Sequence, residues 1–273
     1  AWTQENSTDV LARQKAAAWE IWKAMEFPDS PNPVETTHFL VYGRVAEAKS
    51  KATAQLLESA FATASKPLKF TDKDGPWPGK LVVFLVPARN DFVRLMRKAA
   101  RRAPDNDEFS HAEISGDLAL VIVGPSRSGG TELEQVAREE MLGLMLERKL
   151  GAPPPSWLRQ GFVRSTVSRI NRPSAKAAAS ATVSFGDLWN ERLPDLARHQ
   201  AATFYIDYWA YGPGSEWFDK LLSALRPGEN GRMPPAAEVA RSLNLDERSL
   251  DLLPRAWKKP ASAASSPPKG KKP

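Results

Sequence analysis

The chain has 273 residues, 42% of them hydrophobic and 26% charged, a balance that suits one large folded domain or two small ones. It contains no cysteine, which excludes disulfides, thiolate metal sites and cysteine nucleophiles, and its three histidines, His38, His111 and His199, lie too far apart to ligate a metal from one helix. The formal net charge is +6, part of it in the terminal Lys-Gly-Lys-Lys-Pro, which reads as a solvated tail before it reads as a nucleic-acid groove, and no apolar run approaches the ~20 residues of a membrane span.

In chain order, Asp9 to Phe27 carries Val10, Leu11, Ala17, Trp19, Ile21, Trp22 and Met25 at helical spacing and stops before Pro28. A Pro-rich connector to Pro33 follows, then an alternating strand near 37–43 closed by Gly43. Ala46 to Ser65 predicts a helix with Leu56, Leu57, Ala60 and Phe61 inward, and a short strand is expected near 68–71. Lys80 to Val86 is almost wholly apolar and reads as a buried strand. Asn90 or Asp91 caps a helix whose outer face holds Arg94, Arg97, Lys98, Arg101 and Arg102. No aromatic side chains are interleaved there to stack bases, so a solvated basic face is favoured over a nucleic-acid surface. Strands near 111–115 and 117–123 come next, with His111 and Glu113 on one face of the first.

Gly124 to Thr131 follows an apolar strand and opens a helix, the setting of a phosphate-binding loop, but Gly130 stands where that loop needs its lysine. Thr131 with Glu134 reads as a capping box, and Leu133, Val136, Ala137, Met141, Leu144 and Met145 form an apolar stripe. Gly151 and the run Pro153 to Pro155 end that helix, and a second begins at Ser156-Trp157-Leu158. Glu139 and Glu140 diverge by about 100° on the helix, so they do not form a facing acid–base pair. Ser126 and Ser128 lie outside any Gly-x-Ser-x-Gly pattern.

An Ala/Ser-rich stretch, Ser174 to Ala181, leads to a short helical unit at Phe185–Trp189. Phe204, Tyr205, Tyr208, Trp209 and Tyr211 make an aromatic helix, Gly212 to Gly214 a break, and Trp217 to Leu225 a further helix. Helical segments near 236–243 and 252–257 complete the fold, and the Ser/Ala/Pro/Lys composition from Ala261 onward predicts disorder.

The segments Val136-Ala137-Arg138-Glu139-Glu140-Met141-Leu142 and Trp157-Leu158-Arg159-Gln160-Gly161, a helix and a Pro-rich turn followed by Trp-Leu-x-x-Gly, resemble the peptidase MA-like (gluzincin-like) family. The likeness extends weakly over residues 37 to 258 through the order of the flanking strands and C-terminal helices. Such enzymes hold zinc with His-Glu-x-x-His and a carboxylate from the next helix. The resemblance places Arg138 and Leu142 at the two histidine positions, Gln160 at the third ligand, and Glu139 at the general-base position. Guanidinium and isobutyl groups offer zinc no lone pair, and a neutral amide is a poor substitute for a carboxylate.

The resemblance therefore implies a scaffold without its metal: no catalytic residues, no cofactor and no metal ligand. Arg138 is expected to pair with Glu139, Glu140 or another carboxylate. The fold expected is α+β, a small mixed sheet packed on helices with a C-terminal helical lobe in a gluzincin or thermolysin-like architecture. Its expected divisions are 1–33, 34–172, 173–260 and a basic tail from 261. The cleft is expected between the sheet edge and the 132–150 helix. The function implied is that of a catalytically inactive, peptidase-like domain acting as a structural module or one binding protein or extended peptide, with His111, Glu113, Tyr205 and Tyr208 as candidates for the peptide groove. An extracytoplasmic bacterial setting is expected. An active hydrolase with an unrecognised site and a basic nucleic-acid-binding protein stand as alternatives.

Overall fold

Three apolar runs, β2 (Phe39–Gly43), β3 (Leu81–Leu85) and β5 (Leu118–Val123), pair in parallel at the middle of a five-stranded sheet. Their register aligns Val41 with Val83 and Val83 with Val121, and every side chain of β3 is buried, as a strand covered on both faces requires. Two antiparallel strands close the edges: β1 (Val34–Glu35) beside β2, and β4 (Ser110–Ser115) beside β5. The computed structural model describes residues 7–27, 33–71, 74–126, 132–171, 183–190, 192–228 and 233–258.

This mixed sheet packed on helices is an α+β architecture, with one strand misplaced by the sequence reading. No strand forms at 68–71. The helix α2 (Glu47–Leu68) runs on through Pro67, because buried Leu68 completes its apolar stripe. Lys69 then turns left-handed and caps it through the carbonyls of Lys66 and Ser65. The second edge is supplied by Val34 and Glu35 instead.

Helices cover both faces. On one lie α1 (Ser7–Lys23) and α3 (Arg89–Ala99), where Trp22 and Met96 meet Leu40, Phe84 and Ile122. On the other lie α2, α4 (Leu133–Leu150), α5 (Ser156–Asn171) and α7 (Asp195–Tyr211). The shorter α6 (Phe185–Trp189), α8 (Phe218–Ala224), α9 (Ala236–Ser242) and α10 (Glu247–Lys258) complete that layer. One continuous cluster of buried side chains runs from Phe39 to Leu250 and crosses the expected boundary near residue 172. Among the described residues no helix is long and apolar enough to cross a membrane.

The helical hairpin α4–α5 sits at the centre of this layer. Besides the predicted stripe, α4 buries Arg138, Leu142, Gly143 and Leu146, so it is enclosed on most sides. Gly151 ends it in the left-handed conformation at φ +78°, donating its N–H to Glu147. Its N-cap is Glu132, without a side-chain cap bond. Thr131 of the expected capping box lies outside the described residues, as do 127–130 of the glycine-rich turn, most of the Pro-rich connector, Ser174 to Ala181 and the basic tail.

Candidate functional site

Between α4, α5 and α7 lies a groove of about 590 Å³. Its α5 wall is a stripe of Gln160, Val163, Arg164 and Val167, residues spaced so that one helix face presents them all. α4 contributes Glu139 and Glu140, and α7 contributes His199. What brings α7 so near is Gly161, since a Cβ there would lie 2.7 Å from the carbonyl oxygen of Ala202. The glycine of Trp-Leu-x-x-Gly is thus a packing residue, and the approach it permits sets His199 beside Arg164.

Two pairs of polar groups are engaged across the groove. Glu140 accepts from Arg159 at 2.7 Å and from the Ser110 hydroxyl at 2.8 Å, tying α4 to both α5 and β4. Arg159 reaches it by lying against Gly143, where any side chain would meet the guanidinium. Arg164 donates to Nδ1 of His199 at 3.4 Å, which leaves the imidazole proton on Nε2. Burial, and then the Arg164 charge, push the His199 pKa below its ordinary value of 6.5, so the ring is neutral in this setting.

Two acceptors in the same groove have no donor among the described residues. Oε1 of Gln160 is buried without a hydrogen-bond partner among the described residues. Glu139 keeps an exposed surface, yet desolvation of its carboxyl raises the pKa above the ordinary 4.5, against the opposing charges of Arg138 and Arg164. Among the described residues no ion pair satisfies it.

The predicted site residues part company here. Glu139 and Gln160 share the groove; Arg138 and Leu142 do not line it. Leu142 is fully buried in the core. Arg138 is 8% exposed and, contrary to expectation, pairs with neither Glu139 nor Glu140, while its Nε has no partner among the described residues. Burial pulls its pKa below the ordinary 12.5, with the Glu139 charge opposing. Glu140 is occupied instead by Arg159 and Ser110.

None of the four expected groove residues faces this groove. His111 and Glu113 do share a face of β4, but they stand opposite Ile122 and Leu120, on the side turned toward α1 and α3. There His111 meets Glu113 at 3.1 Å and Arg102 at 3.2 Å. Tyr205 and Tyr208 are buried in the helical layer, where the Tyr205 hydroxyl donates to the Val183 carbonyl at 2.9 Å and contacts Asp251. Aromatic side chains at helical spacing here build core. The residues that the sequence reading missed are Arg159, Arg164 and His199. Arg164 follows Gln160 by one helical turn and was in reach of a spacing argument, whereas His199 carries no local signal.

β4 stands at the sheet edge, and the other face of it looks toward α4. The Phe109 carbonyl accepts from Gly124 at 2.8 Å, so the alternation of an antiparallel ladder turns the backbone groups of His111, Glu113 and Ser115 toward β5. The N–H and C=O groups of Ser110, Ala112 and Ile114 therefore point outward, along an edge that starts at Ser110, beside Glu140. At its far end a second depression of about 370 Å³ lies between Ile114, Gly116, Leu144 and Arg148.

The donor set of the groove does not fit zinc. Glu140 is committed to an arginine, His199 takes a guanidinium proton at one ring nitrogen, and Arg159 and Arg164 add positive charge where a dication would sit. Among the described residues no group of three or more His, Cys, Asp or Glu side chains could hold a metal ion. Neither a protein-family model nor a curated protein sequence matches this chain.

Proposed function

We propose that this chain is a metal-free, peptidase-like module that binds extended peptide, taking it as an added strand on β4. The observation that carries the reading is the outward row of main-chain groups at Ser110, Ala112 and Ile114, which ends beside a polar groove. An edge of this kind, unpaired among the described residues, supplies affinity through backbone hydrogen bonds and leaves side-chain pockets to supply selectivity. The helix–turn–helix from Leu133 to Asn171 supports the peptidase-like part through its resemblance to gluzincin-like proteins, and the replacements at Arg138, Leu142 and Gln160 support the loss of metal.

Ala112→Pro tests the edge. Its lost N–H faces outward, so the β4–β5 ladder keeps its bonds while a bound strand loses one. Anisotropy titrations with labelled, unstructured peptides should show affinity falling by up to about tenfold, the worth of one backbone hydrogen bond, with the circular dichroism spectrum unchanged. Wild-type affinity in the folded Ala112→Pro protein would remove β4 from the account.

A further inference from the structure

We infer that the groove between α4, α5 and α7 recognises the free amino terminus of the peptide, a primary ammonium next to a carbonyl oxygen. This rests on the peptide-binding reading above and names the chemistry at one end of that ligand.

Glu139 and Arg164 carry opposite charges and line the same groove, and each feels the other's charge, yet among the described residues no ion pair joins them. Neither forms an ion pair with another described residue: Arg164 gives one N–H to neutral His199, and Glu139 feels Arg138 and Arg159 only through their charge. Two side chains of opposite charge that line one groove without pairing leave room for a group that offers both signs.

Gln160 strengthens the assignment. Its Oε1 is buried with no donor among the described residues, and a lone buried acceptor costs stability until something donates to it. An ammonium has three N–H bonds and no acceptor, so it can serve Glu139, and Gln160 as well once that side chain turns its buried oxygen into the groove. The groove also presents donors: the remaining N–H groups of Arg164 and Nε2–H of His199, fixed in that tautomer by the Arg164 bond. The first carbonyl oxygen of a peptide, one bond from Cα, suits them. Glu140 and Arg159 neutralise each other at 2.7 Å and do not compete for either end.

The shared chemistry of a peptide terminus and of a free amino acid is separated by the probe. Calorimetric titration of the full chain compares tetra-alanine amide with a free amine, its N-acetyl counterpart, and free L-alanine. The free-amine peptide should bind about tenfold more tightly than the acetylated one, the worth of a charge-assisted hydrogen bond. Glu139→Gln, an exposed position where folding is checked by circular dichroism, should erase that preference and leave the acetylated peptide unaffected. Equal affinity for free and acetylated peptides overturns the inference while the β4 reading stands. L-alanine binding as tightly as the free-amine peptide upholds the head-group assignment and instead removes the added strand. Absence of binding by all three overturns both.

Discussion

Arg164 of α5 hands a hydrogen bond to Nδ1 of His199 on α7, so that burial and, after it, a neighbouring cation favour the neutral form of the histidine. The consequence for pH follows from the direction of the shift. With the folded pKa below 6.5, the unfolded chain binds the extra proton first. The stability tied to this contact is therefore complete above pH 6.5 and is lost as pH falls through the folded pKa. Proton NMR of the imidazole should place the His199 titration below that of an exposed histidine, and Arg164→Gln should move it upward. No change on removing Arg164 would show that burial acts alone.

Glu139 has the opposite slope. Its folded pKa lies above 4.5, so its protonated form favours the native state, and that advantage fades as pH rises through the folded value. Glu139→Gln copies the protonated form. The melting temperature of the variant should match wild type near pH 4 and exceed it at neutral pH. A variant less stable than wild type at pH 7 would mean that Glu139 has a partner holding its charge.

Arg138 predicts a gain. A buried guanidinium with no ion pair among the described residues and only the Glu139 charge to oppose its desolvation gains little in return, and methionine fills a similar volume without that cost. Arg138→Met should raise unfolding stability by about 1–2 kcal/mol at unchanged urea m-value. A loss of that size would assign Arg138 a structural partner.

Two glycines of the hairpin should respond differently. Gly161→Ala drives a methyl into the Ala202 carbonyl, a backbone atom that cannot step aside, and should cost about 1–3 kcal/mol. Gly143→Ala meets only the far end of Arg159, which can swing away, and the helix gains up to about 1 kcal/mol of propensity. Urea denaturation of both variants checks the contrast; equal destabilisation would mean that Arg159 is as fixed as the backbone.

Much of this arrangement could be read from residue order. The apolar runs at β3 and β5, the stripe of α4 and the stop at Gly151 follow from local periodicity and turn chemistry, and the structure has them in place. The 68–71 strand failed because Leu68 belongs to the core under α2, a tertiary demand that outweighs the β-type residues Phe70 and Thr71. Alternation correctly put His111 and Glu113 on one face, but which face meets α4 depends on how β4 pairs with β5. His199 reaches the groove only through the close α5–α7 contact at Gly161, which no window of sequence around residue 199 contains.

The central claim is that this groove and edge bind peptide without a metal. An anisotropy titration of wild-type protein with labelled, free-amine peptide, run after dialysis against EDTA and again with one equivalent of zinc added, tests it most directly. The account predicts one saturable isotherm common to both conditions. Binding that appears only when zinc is restored would contradict it.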